Sequence, residues 1–299
     1  MTDSRRPDRY IETNRATWDA WAKLHAVSEF YDLEGFKAGR RGRDRLDALE
    51  RRLVGDVAGK SLLHLQCHIG LDTVAWARRG AVATGVDFSP AALAVARALA
   101  ADLNVTATFV ESDVYDLPER LRGTFDVVFT SNGVLCWLPD LERWGHVIAH
   151  FLEPGGRFCM FEGHPFALVF DDAGPGPELR ASYPYFHSPV PMRSEQRGSY
   201  AVPDAPIDSL TYQWAHPVSD VLGALLRAGL RIETFEEYPY VGWAMFPWMV
   251  KRPDGGRRGA HGGFDAVSEN IRGTERAPTG SSHAPSGRFI IHGNIAHPT

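Results

Sequence analysis

From residue 61 onward, short apolar runs alternate with segments whose apolar residues recur every three or four positions, the pattern of βα units that build a parallel sheet. Residues 61–66 (SLLHLQ) read as a first strand. The helix LDTVAWARR follows Gly70 and stops at Gly80, as a C-terminal glycine requires. Residues 81–87 (AVATGVD) form a second strand. Ser89 then serves as N-cap, Pro90 takes the first helical position, and AALAVARALAADL is strongly helix-forming. A third strand is expected at 105–110 (VTATFV). The almost wholly apolar run at 125–131 (FDVVFTS) suits a central strand covered on both faces. Leu141, Trp144, Ile148 and Phe151, spaced 3, 4 and 3, predict the buried face of a helix ending before Pro154-Gly155-Gly156. A fifth strand is expected at 157–163 (RFCMFEG), a further helix at 218–230 stopped at Gly229, and a strand at 231–237.

Three regions depart from this alternation. Residues 8–54 are helical in pattern, with Trp18, Trp21 and Leu24 spaced 3 and 3, and predict an N-terminal helical cap over residues 1–59. Residues 164–209 hold eight of the twenty prolines together with Phe166, Phe170, Tyr183, Tyr185, Phe186 and Tyr200, so an aromatic lid insertion without regular helix is expected within a core of residues 60–251. Residues 252–288 carry eight glycines but few large apolar side chains, too few to offset chain ordering, and are expected to be flexible. Strand character returns at 287–295, so residues 289–299 are expected to hold an edge strand and the C-terminus. No repeat of fixed period is visible.

The 299 residues are 44% hydrophobic and 23% charged, the composition of a globular protein with a substantial core. A net charge of −5 supplies no global basic field, although Arg40, Arg41, Arg43 and Arg45 cluster locally, and nucleic acid is not expected as a partner. No apolar run approaches the roughly 20 residues of a membrane helix, and the first residues lack a signal pattern, which predicts a cytoplasmic protein with no membrane partner. Cys67, Cys136 and Cys159 fit reduced core thiols. Neither CxxC nor HExxH occurs, so no metal is expected. The oligomeric state stays open.

A parallel sheet binds its ligand at the carboxyl ends of its strands, where the first βα turn presents backbone N–H groups and a helix N-terminus. That turn is Gln66-Cys67-His68-Ile69-Gly70-Leu71-Asp72. Asp87 closes the second strand 17 residues past Gly70, where a carboxylate can accept both ribose hydroxyls; the same carboxylate ahead of Ser89 also suits a helix cap. These two features fit NAD or S-adenosylmethionine. Asp113, positioned for an adenine amino group with Val114 to pack on the base, favours S-adenosylmethionine.

In order, LLHLQCHIG, VDFS, SDV, FDVVFTSNG and LEPGGRF resemble the motifs of class I S-adenosylmethionine-dependent methyltransferases, over residues 60–163 and more loosely to 237. The resemblance implies a Rossmann-like, doubly wound α/β sheet of seven strands with the last antiparallel. It also implies an acceptor site above the cofactor and methyl transfer from the sulfonium to a small molecule. This sequence departs from the family in its first motif, with His64 where an acid is usual and Gln66 and His68 where glycines are usual. Only Gly70 remains, where close approach of the cofactor and a positive φ favour glycine.

The implied cofactor residues are Gln66, His68, Gly70, Asp87, Phe88, Asp113, Val114, Ser131 and Asn132, with the Gln66 amide available to the methionine end. TSNG lacks the Pro-Pro-aromatic sequence typical of nucleic-acid amino-methyltransferases, which disfavours a base as acceptor. His164, at the end of the fifth strand, is the candidate general base, ahead of His68, His146 and His187. Tyr183, Tyr185 and Phe186 are expected to bind the acceptor, and Trp18, Trp21, Phe30 and Tyr31 to cover the cofactor. Two other readings remain: an enzyme using the same cofactor without methylating, which the unusual QCHIG turn would suit, and a cofactor-binding protein without turnover.

Overall fold

The computed structural model describes residues 6–40, 46, 48–170, 180–238 and 288–295. Helices α1 (Arg6–Val27), α2 (Leu33–Lys37) and α3 (Ala48–Val54) precede the sheet. The alternating core then runs β1 (Ser61–Leu65), α4 (Leu71–Arg78), β2 (Val82–Asp87), α5 (Pro90–Asp102), β3 (Thr108–Glu111), α6 (Leu117–Arg120), β4 (Phe125–Ser131), α7 (Leu141–Phe151) and β5 (Leu152–Gly163). A hairpin of β6 (Met192–Arg197) and β7 (Asp208–Gln213) follows, then α8 (Val218–Arg227), β8 (Leu230–Tyr238) and β9 (Arg288–Ile295).

Strands β3, β2, β1, β4 and β5 are parallel neighbours in that order. Beyond β5 the order continues β9, β8, with β9 antiparallel to both. The period of two along each strand divides the core. Leu62, Val127, Phe129, Cys159 and Phe161 join one apolar layer with Val74, Trp76 and Leu93 of α4 and α5. Leu63, Val128, Phe158 and Met160 join the other with Trp144, Ile148 and Leu225 of α7 and α8. Helices on both faces make the sheet doubly wound.

Local signals set most boundaries. The Ser89 hydroxyl accepts from Ala92 N, with Pro90 in the first turn. Gly80 and Gly229, at φ 92° and 90°, follow the ends of α4 and α8. Two boundaries move. The third strand begins at Thr108 instead of 105, because Asn104 takes φ 52° and Val105 N bonds back to Ala100 O, prolonging the exit from α5. The fifth begins at Leu152 instead of 157. Leu152 pairs with Phe125, and Pro154-Gly155-Gly156 is absorbed as a register shift before Arg157 pairs with Val127.

The described part of the insertion has no α-helix; it forms the β6–β7 hairpin and packs on α1. Asn14 lies beside β7 like a further strand, its Nδ2 donating to Tyr212 O and its Oδ1 accepting from Tyr212 N, both at 2.8 Å. Thr17 Oγ1 donates to Leu210 O and Trp21 Nε1 to Ser209 Oγ. On its other side α1 meets the start of α5, where Asp19 accepts from Ser89 Oγ and Ala91 N. The segment expected to be flexible at 252–288 lies outside the described residues apart from Arg288. Among the described residues no helix is long and apolar enough to cross a membrane.

Candidate functional site

The chain crosses from β1 to one face of the sheet and from β4 to the other, so the carboxyl ends of these adjacent strands splay apart at a topological switch point. A cavity opens there, and it takes residues from every strand end from β3 to β4.

Gln66, His68 and Gly70 take φ 55°, 50° and 73°. The left-handed course thus persists with two non-glycine residues, at a cost of roughly 1–2 kcal/mol each. Hydrogen bonds hold it: Cys67 N donates to Val86 O at 2.8 Å, His68 N to Asp87 Oδ2 at 2.8 Å and Gly70 N to Cys67 O at 3.0 Å. Gly70 does not line the cavity. A Cβ there would sit 2.5 Å from Ala96 Cβ, so the close approach that demands glycine is α4 against α5, not a ligand against the backbone. Gln66 lines the cavity with its Nε2 3.4 Å from Val134 O; its Oε1 is buried and makes no hydrogen bond.

Asp87 stands just ahead of α5 and in the cavity wall. Its carboxylate accepts from His68 N and from Ser89 N at 2.9 Å, tying two loops together, and it lines the cavity. Burial pushes its pKa up to about 6 against the lowering effect of these amides. Asp113 caps the short turn at Tyr115 N and also lines the cavity, its pKa likewise raised by burial. Phe88, Val114 and Tyr115 supply apolar surface beside them.

At the end of β4, Ser131 donates to Asp72 Oδ2 at 3.1 Å, and Asn132, at φ 52°, donates through Nδ2 to Glu50. Ser131, Asn132 and Asp72 all line the cavity. His64, in the usual place of an acid, is buried against Thr73 Oγ1 at 2.9 Å, and burial lowers its pKa to about 4, so it is neutral at pH 7.

Four contributors escaped the sequence reading. Asp72 stands in the first turn of α4, where an acid is ordinary. Glu162 is buried and accepts from Gly133, Val134, Leu135 and Gly163 N–H groups, shaping the loop after β4; burial raises its pKa. His25 is buried between His68 Nε2 at 2.8 Å and Ser199 Oγ at 3.0 Å, with its pKa lowered by burial to about 3. Trp137, after β4, joins Trp18, Phe30 and Tyr31 in the cavity wall. The only sequence signal for Asp72, Glu162 and His25 was an acid or histidine within apolar surroundings.

Trp21 stands behind Trp18 instead of lining the cavity. Nor does the structure bring His164, Tyr183, Tyr185 or Phe186 to it. His164 Nε2 lies 2.5 Å from Glu237 on β8, and its Nδ1 accepts from Phe166 N. Phe186 is 73% exposed, Tyr183 is exposed, and the Tyr185 hydroxyl meets Val218 N at the start of α8. The insertion reaches the cavity region instead through Ser199, bonded to His25, and Tyr200, bonded to the Tyr31 hydroxyl, because the β6–β7 hairpin docks on α1. His146 is exposed and His187 stacks on His216. Among the described residues no cluster of ligating side chains suits a metal ion.

A doubly wound sheet with strand-end carboxylates lining a cavity at its switch point is a Rossmann-like arrangement. A family model described as a methyltransferase domain matches residues 62–156. The ubiquinone biosynthesis O-methyltransferase of Erwinia tasmaniensis is 36% identical over 139 residues, covering 46% of this chain and 56% of the relative. That of Alkalilimnicola ehrlichii is 34% identical over 128 residues, covering 42% and 51%. The matched region spans about half the length of these curated relatives. An S-adenosylmethionine-dependent methyltransferase structure from Clostridium acetobutylicum shares the fold, with a TM-score of 0.50, 13% identity and coverage of 92% of this chain and 95% of that one. Residues 62–156 are thus similar in sequence to a methyltransferase domain, and the fold is shared with a solved S-adenosylmethionine-dependent methyltransferase.

Proposed function

We propose that this protein transfers a methyl group from S-adenosylmethionine to a small-molecule acceptor. The observation that carries the reading is the buried, unsatisfied Gln66 Oε1 in the same cavity as Asp87 and Asp113. A buried acceptor without a donor costs roughly 1–3 kcal/mol, and a ligand ammonium or hydroxyl would remove that cost. The side chains fit the cofactor: Asp87 for the ribose hydroxyls, Asp113 and Val114 for the adenine, Phe88 alongside, and Gln66, Ser131 and Asn132 for the methionine end. When bound, the cofactor supplies an electrophilic methyl group on a sulfonium.

The chain itself would orient both reactants and exclude water, which supplies much of the rate enhancement of an in-line displacement. In this reading α1 to α3 form a cap, the 164–209 insertion supports the cap through β7, and the β8–β9 pair completes the seven-stranded sheet expected of the family. The register of β9 against β5 supports that last point. A hydroxyl acceptor is the extension that the O-methyltransferase relatives favour.

Calorimetry tests the reading. S-Adenosylhomocysteine should bind and NAD should not, and Asp87→Ala should weaken binding by roughly 1–3 kcal/mol, about 5- to 150-fold. Equal affinity of Asp87→Ala and wild type would remove the ribose role. A labelled-methyl screen of metabolite pools then separates methyl transfer from non-methylating use of the cofactor and from binding without turnover.

A further inference from the structure

The cavity has two chemically different ends. Strand order places Asp113, Asp87, Gln66 and then Ser131 and Asn132 across its floor, so the nucleoside carboxylates stand at the β3–β2 end. Aromatic rings stand over the β1–β4 end. Trp18 packs at 5.2 Å and 82° on Trp137, which follows β4, and at 5.0 Å on His68 of the first turn; Tyr31 lies 5.5 Å from the same histidine. Each ring is held from behind. Trp137 Nε1 donates to Gly133 O at 2.9 Å, Trp18 abuts Trp21, itself bonded to Ser209, and the Tyr31 hydroxyl is bonded to that of Tyr200. Two fixed, perpendicular rings give a flat guest one face to stack on and one edge to meet, the two favoured aromatic geometries.

Charge narrows the guest further. Asp72, Asp87 and Asp113 line the cavity, and among the described lining residues there is no lysine or arginine. An acidic acceptor would lose its hydration beside carboxylates without gaining a cationic side chain. We propose that the aromatic cover over the β1–β4 end, above the residues read as holding the methionine end of the cofactor, is the acceptor subsite, that Trp18, Tyr31 and Trp137 form its wall, and that it selects a flat aromatic acceptor without an acidic group. This rests on the S-adenosylmethionine reading of the β3–β2 end. It moves acceptor recognition from the exposed aromatics of the insertion to the cap helix and the loop after β4.

The test is a set of phenols of similar size and different charge, titrated into protein saturated with S-adenosylhomocysteine: 4-ethylphenol (neutral), tyramine (cationic) and 4-hydroxyphenylacetate (anionic). The neutral and cationic members should bind about tenfold or more tighter than the anion. Trp18→Leu should weaken 4-ethylphenol about tenfold with the affinity for S-adenosylhomocysteine changed less than about twofold, whereas Trp18→Phe, which keeps a ring, should retain most of it. Should Trp18→Leu fail to fold, Trp137→Leu makes the same comparison. Binding of the anion as tight as that of the others, binding of no phenol, or equal loss of phenol and S-adenosylhomocysteine affinity overturns the proposal and leaves the cofactor reading standing. Failure of wild type to bind S-adenosylhomocysteine overturns both.

Discussion

Gln66 and His68 hold left-handed backbone where the family prefers glycine, and they do so because Asp87 and Val86 anchor the amides of this turn. Retaining side chains at that cost suggests they serve the cavity they line. Gln66→Gly should therefore leave stability within about 1 kcal/mol of wild type and weaken S-adenosylhomocysteine about tenfold through loss of one hydrogen-bonding group. Chemical denaturation and calorimetry check the two halves. Gly70→Ala should behave in the opposite way, because its Cβ would collide with Ala96 at φ 73°. A loss of roughly 1–3 kcal/mol in urea is expected.

His25 offers a pH test at the same scale. Burial lowers its pKa from 6.5 to about 3, so between these values the unfolded chain binds a proton that the fold does not. Stability from this group is therefore present at neutral pH and lost as pH falls from about 6.5 toward 3. Replacing His25 by Gln should flatten the dependence of unfolding free energy on pH by about 1.4 kcal/mol per unit between about pH 4 and 6, whatever its effect at pH 7.

At the scale of elements, one carboxylate organises the loop that leaves β4. Glu162 sits at the end of β5 and collects three consecutive amides, Gly133 to Leu135, so the loop presenting Asn132, Gly133 and Val134 to the cavity is set by the neighbouring strand. A glutamine offers one acceptor oxygen in place of two and turns an NH2 toward the amides. Glu162→Gln should cost roughly 1–3 kcal/mol for each amide left unsatisfied and weaken cofactor binding along with stability. A denaturation midpoint equal to wild type would show that the loop holds itself. The cap follows the same logic, since Asn14 and Thr17 satisfy backbone groups of β7 that a hairpin edge leaves open.

Across the whole molecule, the sheet depends on the strand farthest along the chain. β9 enters between β5 and β8, pairing seven residues of β5 from Arg157 to Gly163. Ending the chain at residue 287 would open the edge of β5 and leave β8 without its neighbour. Exposed edges template association. The shortened protein should aggregate on size-exclusion chromatography and lose a single cooperative thermal transition; a monomer with an unchanged transition would show that β9 is dispensable.

The sequence by itself determined the βα alternation, the Ser89 cap, the buried face of α7 and the strand-end carboxylates Asp87 and Asp113. These follow from periodicity and hydrogen bonding over about ten residues, which a local pattern records. Tertiary structure decided what surrounds the cavity at the carboxyl ends of the strands. It brought Trp18, Tyr31 and Trp137 together, buried His25 against His68, recruited Glu162 to a loop 27 to 29 residues away, and left His164 paired with Glu237 outside the cavity. The side on which an insertion docks depends on contacts such as Asn14 to Tyr212, 198 residues apart. Local periodicity carries no record of that separation, so the βα turns were legible and the cover over them was not.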